Sequence, residues 1–215
     1  MKTNSVSLAG RTWSPVQQFV EYEINGDHAL GHETYSRYSG PPSPEQEEAW
    51  ERLIRPVYFN ATYEDLERAG EVWDHQASLV NGGYVARLGV YHELHCLRNL
   101  RLYLFRDRYY PNTTARQEAW LKGHLDHCLE SLRLTIMCHG NTALYTFAWD
   151  DPRAARPATK SRSQSVCVRW DSIERWSTAR MISNNPPLEP PDHHPWLRHR
   201  QGEGGEEAVA SSLPS

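Results

Sequence analysis

Two copies of a His-x-x-His-Cys pattern are the residues of this sequence best suited to chemistry. The first copy contains His92, His95 and Cys96, and the second contains His124, His127 and Cys128. Neutral imidazoles bind copper, zinc, iron and nickel. A single copy is more typical of core histidines satisfied by hydrogen bonds, with the cysteine packed as a small apolar side chain. The duplication favours a metal-binding or catalytic site over that structural interpretation.

The spacing within each copy indicates which elements must position the histidines. Residues three apart on an α-helix lie on one face, so each copy can direct two imidazoles toward one point. If the two helices pack antiparallel, four imidazoles meet in the groove between them, as in the metal sites of helix bundles. The zinc-protease motif needs histidines four residues apart, and zinc fingers need a Cys-x-x-Cys pair, so neither motif is present.

Hydrophobic periods and capping residues predict the surrounding elements. A central antiparallel helix pair is predicted over residues 89–106 and 115–138, and the short connection between them favours antiparallel neighbours. Further elements are expected as helices at 44–55 and 63–69, a hairpin joining 71–73 to 84–87, and a strand at 143–149. The last ordered stretch contains Cys167, Trp170 and Trp176, and a helix is expected there through Ile173. The predicted fold class is mainly α with a few short β-strands (α+β).

Composition and charge limit the classes of protein that the sequence can represent. The chain has 215 residues and a net charge of −4, with a mean hydropathy of −0.72. We expect a flexible segment at 1–13, one domain at 14–180 and a disordered tail at 181–215, where Pro, Gly and Glu are frequent. The charge gives no indication of nucleic-acid binding. No apolar run has the length of a membrane span, and no signal peptide is found.

Beyond the two motifs, the sequence resembles the UstYa-like family of fungal proteins. Members of this family are found in biosynthetic clusters for ribosomal cyclic peptides and for other secondary metabolites. The resemblance extends from about Ser14 to Trp176, and it includes SGPPS at 39–43, EAW at 48–50, Met137-Cys138, and Cys167 with Trp170.

This resemblance implies a function and a cofactor. The implied function is an oxidoreductase of mycotoxin biosynthesis that performs oxidative cyclisation or C–H functionalisation of a peptide-derived substrate. The implied cofactor is copper held by His92, His95, His124 and His127, with iron or zinc as alternatives; zinc has no redox chemistry of its own. Expected partners are a peptide or small-molecule biosynthetic intermediate and a second UstYa-like chain, in a homo- or hetero-oligomer.

The resemblance also implies a location in the secretory pathway. Family members usually carry a transmembrane helix before the matched region, and no such helix is found in this sequence, so a soluble cytoplasmic protein is the alternative. Disulfides are expected in a lumenal protein, and the four cysteines Cys96, Cys128, Cys138 and Cys167 allow three pairings. Asn60 and Asn112 begin glycosylation sequons.

Two carboxylates lie between the histidines of their motifs. Glu93 and Asp126 point too far around their helices to bind the same ion directly. They can instead orient imidazoles of the neighbouring helix as hydrogen-bond acceptors, or they are simply exposed. Two other functions remain open from sequence: a structural zinc module, and a non-catalytic partner subunit of a biosynthetic complex.

Overall fold

The computed structural model describes residues 13–25, 34–72, 76–149, 151–160 and 163–189, in which helices predominate. The helices are α1 (Pro44–Ile54), α2 (Tyr63–Ala69), α3 (Gly89–Leu104), α4 (Arg106–Tyr109), α5 (Ala115–His139) and α6 (Trp170–Arg180). The strands are β1 (Tyr22–Asn25), β2 (Phe59–Ala61), β3 (Tyr84–Ala86), β4 (Thr146–Ala148), β5 (Ala158–Lys160) and β6 (Ser165–Val168), and a single 3-10 turn covers Gln17–Phe19. This composition confirms the predicted fold class.

Capping residues fix the ends of the first two helices. The Ser43 hydroxyl accepts a hydrogen bond from the Gln46 amide, and Pro44 occupies the first turn of α1. Thr62 forms a reciprocal capping box with Asp65 at the start of α2. The left-handed Gly70, with φ of 75°, ends α2. These ends agree with the predictions because the signals are local.

The central pair is formed by α3 and α5, and it runs antiparallel as predicted. Glu93 near the start of α3 contacts Thr135 near the end of α5, whereas Tyr103 near the end of α3 contacts Glu118 near the start of α5. α3 ends two residues earlier than predicted because Phe105 leaves the helical conformation, with φ of −110° and ψ of 41°. The antiparallel pairing places the two histidine motifs at the same level.

Apolar packing holds the two helices together beyond the motifs. Leu102 of α3, Leu121 and Leu125 of α5, and Tyr110 from the connection form one buried cluster. Each of these side chains is at most 5% exposed. Burial of apolar area of this kind is the main favourable term in folding. The cluster lies on the turn side of the motifs and keeps the helix pair in register there.

The strands form three antiparallel pairs, one of which corrects a prediction. β1 pairs with β6, β2 with β3, and β4 with β5. The predicted hairpin joined 71–73 to 84–87, but the 84–86 strand pairs with Phe59–Ala61 and forms a bridge to Ser78. Trp73 lies outside the described residues. A tight turn does occur at 79–83, where the Leu79 amide donates to the Gly83 carbonyl. The Gly-Gly signal therefore located the turn but not the partner strand.

The N-terminal segment and α6 build a second core. Val16, Phe59, Ala61, Leu66 and Trp176 are buried together. The Phe59 and Trp176 rings meet edge to face, with centres 5.0 Å apart. α6 includes the predicted helix at Ile173, and its buried face continues through Trp176 and Ser177.

The chain after α6 is hydrogen bonded to the domain as far as Glu189. The Ile182 amide donates to the Tyr58 carbonyl, and the Glu189 amide donates to the Ser78 carbonyl. Residues 181–189 therefore lie on the domain, held by backbone hydrogen bonds that composition does not reveal. The rest of the predicted tail, 190–215, and the segment 1–12 are outside the described residues. Among the described helices, none is long and apolar enough to cross a bilayer.

Candidate metal centre

The four motif histidines face one another across the groove between α3 and α5. His92 lies opposite His127, with ring centres 5.8 Å apart, and His95 lies opposite His124, with ring centres 6.2 Å apart. The His124 and His127 rings are 6.5 Å apart on α5. The structure thus brings together all four residues that the sequence predicted to converge.

The donor set fits a metal ion by type and ring spacing. Two imidazoles that share one ion, with metal–nitrogen bonds of about 2.0–2.1 Å, have ring centres about 5–6 Å apart. The 5.8 Å spacing of His92 and His127 lies at the upper end of this range, and the 6.2 Å spacing of His95 and His124 lies just beyond it. As the side chains stand, however, no three His, Cys, Asp or Glu residues of the described chain surround one point closely enough to hold an ion. The rings share a groove, but their nitrogens do not converge.

The side chain between the rings is that of Asn99, which lies one turn after His95 on α3. Its Nδ2 atom is 3.0 Å from His95 Nε2 and 3.2 Å from His124 Nε2. Asn99 is 6% exposed. Its amide therefore links one imidazole of each helix at the centre of the site.

An aromatic side chain forms one wall of the site. The Trp120 ring stacks on the His124 ring at 5.2 Å with an angle of 22° between the planes. Trp120 is half-buried and packs against the cluster of Leu102, Leu121 and Leu125. The stack restricts the rotation of His124. At the other end of the groove, His127 is exposed, so the site is open to solvent there.

Burial favours the neutral form of three motif imidazoles, those of His92, His95 and His124. Desolvation lowers the pKa of His95 to about 4, with smaller contributions from the positive charge of Arg87 and from His124. Desolvation also lowers the pKa of His92 and of His124. A metal ion binds the neutral form of imidazole. These three rings are therefore available as ligands without loss of a proton over the physiological pH range.

The motif cysteines form the buried floor beneath the histidines. Cys96 and Cys128 are both 0% exposed, and their thiols are hydrogen bonded to each other. Cys96 Sγ is also 3.8 Å from His92 Nε2. Burial, reinforced by Cys96, raises the pKa of Cys128 to about 12. In this structure Cys128 is therefore a protonated thiol.

The other predicted residues lie farther from the rings. All four cysteines are free thiols in this structure, with Cys138 exposed and Cys167 half-buried in β6. Glu93 accepts a hydrogen bond of 3.0 Å from the Thr135 hydroxyl and thereby joins the two helices. Asp126 is exposed. A role for these two carboxylates in orienting imidazoles stays a prediction.

Two site residues had a signal in the sequence that we did not interpret as functional. Asn99 follows His95 by four positions, and Trp120 precedes His124 by four, so each lies on the same stripe as a motif histidine. A polar side chain on a buried helix face needs a hydrogen-bond partner, and Asn99 lies on the face that carries His95. This requirement could have pointed to Asn99.

Comparison with known proteins identifies relatives of this chain. A family model described as "Mycotoxin biosynthesis protein UstYa" matches residues 2–180. The UstYa family oxidase phomYc of Diaporthe leptostromiformis is 30% identical over 181 residues, which cover 80% of this chain and 71% of that protein. The UstYa family oxidase aprY of Aspergillus flavus is 29% identical over 79% of this chain and 56% of its own length.

A shorter match reaches the protein that gives the family its name. The oxidase ustYa of Aspergillus flavus is 32% identical over 93 residues, which cover 43% of this chain and 40% of that protein. No solved structure shows a significant match. The names of the relatives support the predicted oxidoreductase role. From the family match over nearly the whole chain, we conclude that this protein belongs to the UstYa family of mycotoxin-biosynthesis proteins.

Proposed function

We propose that this protein is a copper-dependent oxidase that modifies a peptide-derived substrate in secondary-metabolite biosynthesis. The observation that carries the proposal is the facing of four imidazoles across one groove, His92 and His95 against His127 and His124. These four residues would hold the ion. Bound copper would supply the one-electron chemistry with dioxygen that zinc lacks.

The residues of the chain contribute binding, orientation and the exclusion of water. Desolvation keeps His95 neutral, and the Trp120 stack fixes the plane of His124. The cluster of Leu102, Leu121 and Leu125 closes the groove on the turn side. Apolar packing around the ligands and fixed ligand orientations are the usual contribution of a protein to metal chemistry.

The open end of the groove favours catalysis over a structural zinc module. A structural zinc site is closed by four protein ligands, whereas a catalytic site keeps a position for substrate or water. His127 is exposed, and His92 opposite it is only half-buried. A substrate can therefore reach the histidines from this side. The peptide nature of the substrate rests on the resemblance to proteins of ribosomal-peptide clusters.

Expression with copper and a candidate precursor peptide tests the proposal. Mass spectrometry of the peptide should show loss of two hydrogens or gain of oxygen, together with uptake of dioxygen. The expected metal is copper, measured by elemental analysis of the purified protein. Protein that contains zinc alone and consumes no dioxygen would reject the oxidase. Pairing with a second UstYa-like chain stays a prediction, which co-purification addresses.

We also propose a disulfide between Cys96 and Cys128, because these are the two thiols in mutual contact. The raised pKa of Cys128 disfavours thiolate formation after packing, so the bridge should form while the helices are still assembling. It should raise the free energy of unfolding by about 3 kcal/mol. Non-reducing peptide mapping of protein from the secretory pathway should recover a linked Cys96–Cys128 peptide. Recovery of Cys138 linked to Cys167, with Cys96 and Cys128 alkylatable, would contradict the pairing.

We propose that a glycan is attached at Asn112 and not at Asn60. Asn112 is exposed in the turn before α5. The Asn60 amide donates to the Gly82 carbonyl at 3.1 Å and packs closely against Gly83. Enzymatic deglycosylation of the secreted protein should therefore give one glycan mass shift, which N112Q removes and N60Q retains. A shift that disappears only in N60Q would reverse the assignment.

A further inference from the structure

The amide of Asn99 occupies a place that the function proposed above does not explain. Asn99 lies on α3 one turn beyond His95, and 6% of its surface is exposed. Its Nδ2 atom is within hydrogen-bond distance of Nε2 of His95 on the same helix, at 3.0 Å. The same atom is 3.2 Å from Nε2 of His124 on the facing helix. One buried side chain thus engages two of the four histidines through equivalent ring atoms.

The chemistry of the carboxamide determines what these contacts mean. An amide NH2 group has two N–H donors and no acceptor, so it can donate one hydrogen bond to each ring nitrogen. Each Nε2 must then be unprotonated, and its lone pair is directed at Asn99. The proton of each neutral ring is consequently on Nδ1. The lone pair that accepts this hydrogen bond is the one with which Nε2 would bind a metal ion.

We propose that Asn99 is a positioning residue that holds His95 and His124 in the Nδ1–H tautomer and competes with the metal ion for their Nε2 atoms. Loading of the site requires the Asn99 amide to withdraw from between the two rings. This inference rests on the proposed metal site. It adds that an internal competitor, the Asn99 amide, limits the affinity of the site for metal. Asn99 is not one of the residues of the His-x-x-His-Cys pattern.

The expected size of the effect follows from the two hydrogen bonds. A metal ion that binds these rings must replace two hydrogen bonds. At ordinary net strength, two such hydrogen bonds lower the affinity for a competing metal ion by about 10- to 30-fold. Removing the amide should therefore tighten metal binding by about that factor. The same removal should destabilise the protein without metal, because the two helices lose a shared contact and two half-buried ring nitrogens lose their partner.

The tautomers can be tested without metal or substrate. Nitrogen-15 NMR of the imidazoles distinguishes a protonated ring nitrogen from an unprotonated one. In the metal-free wild-type protein, His95 and His124 should have unprotonated Nε2 atoms. In N99L, which keeps the same branching and number of side-chain heavy atoms but cannot donate, both rings should shift toward the Nε2–H form. Protonated Nε2 atoms in the wild type would overturn the proposal.

Zinc titration tests the competition. Calorimetric titration of Zn²⁺ alone into metal-free protein should give tighter binding for N99L and N99A than for the wild type, by about tenfold. The matched control is Y103F, which removes another α3–α5 hydrogen bond, the 3.1 Å contact from the Tyr103 hydroxyl to Glu118. Y103F should lower the unfolding temperature but leave the zinc affinity unchanged.

The outcomes separate this inference from the function on which it rests. Zinc binding that is no tighter in N99L and N99A than in the wild type overturns the competition and leaves the metal site intact. An absence of zinc and copper binding in every variant overturns the metal site and the competition together. Equal tightening in Y103F also overturns the competition, because it would assign the effect to loosening of the helix pair.

Discussion

The double variant H95A/H124A should lose bound copper and substrate oxidation together. These two histidines come from different helices, and their ring centres are 6.2 Å apart. Their removal leaves only His92 and His127, at the open end of the groove. Even residues that only support metal ligands change affinity or activity by about 10- to 100-fold when replaced, and ligands should exceed that range. We expect bound copper to fall close to zero and dioxygen uptake to fall at least about 100-fold.

The control for this experiment is H139A. His139 ends α5, is exposed, and its Nδ1 atom lies 2.9 Å from the Thr135 carbonyl oxygen. This variant removes one imidazole from the same helix without touching the groove. Elemental analysis and an oxygen electrode should find copper content and turnover near wild type. Copper and activity that persist in H95A/H124A would place the reaction elsewhere in the molecule.

The variant L125A should strongly destabilise the helix pair. Leu125 is 5% exposed and is buried with Leu102, Tyr110 and Leu121. Leucine-to-alanine changes in packed cores lower the free energy of unfolding by about 2–5 kcal/mol, because they remove buried area and leave a cavity. Denaturant unfolding of the purified protein should show a loss in this range.

The matched control is L129A, the same substitution one turn later on α5. Leu129 is 54% exposed, so it has little buried area to lose. Its unfolding free energy should change by less than about 1 kcal/mol. Equal losses in the two variants would mean that the face of α5 that packs on α3 is not the one described here.

Helix positions could be predicted from sequence because their signals are local. Ser43 with Pro44, Thr114 with Gln117, and Gly140 mark helix ends within a few residues of the chain. The predicted start of α5 agrees with the structure, and its end differs by one residue. Strong hydrophobic periods combined with such caps leave little freedom to place a helix elsewhere.

Strand pairing could not be predicted because its determinants are distant in sequence. β1 and β6 have four residues each, and Glu23 lies opposite Cys167 in the pairing. Strands of three or four residues have too few positions to show an alternating period, so they carry no information about their partner. The error at 84–87 has this cause: the turn is a local signal, whereas Phe59 and its partner Ala86 are distant in the sequence.

The candidate site was only partly accessible from sequence. The His-x-x-His spacing and the antiparallel helices were sufficient to predict that the four rings face each other. The contacts of Asn99 with the two rings could not be predicted, because the contact with His124 depends on the distance between the helices. The partner of Glu93 is similarly a residue 42 positions away, Thr135.

The short connection between α3 and α5 has a consequence for how the protein folds. All four imidazoles lie in one continuous segment from His92 to His127, and their contacts form within a single helical hairpin. Contacts between residues near in sequence form early, because closing a short loop costs little chain entropy. The nascent chain can therefore organise its four rings before α6 has been synthesised, whereas the pairing of β1 with β6 must await nearly the whole domain.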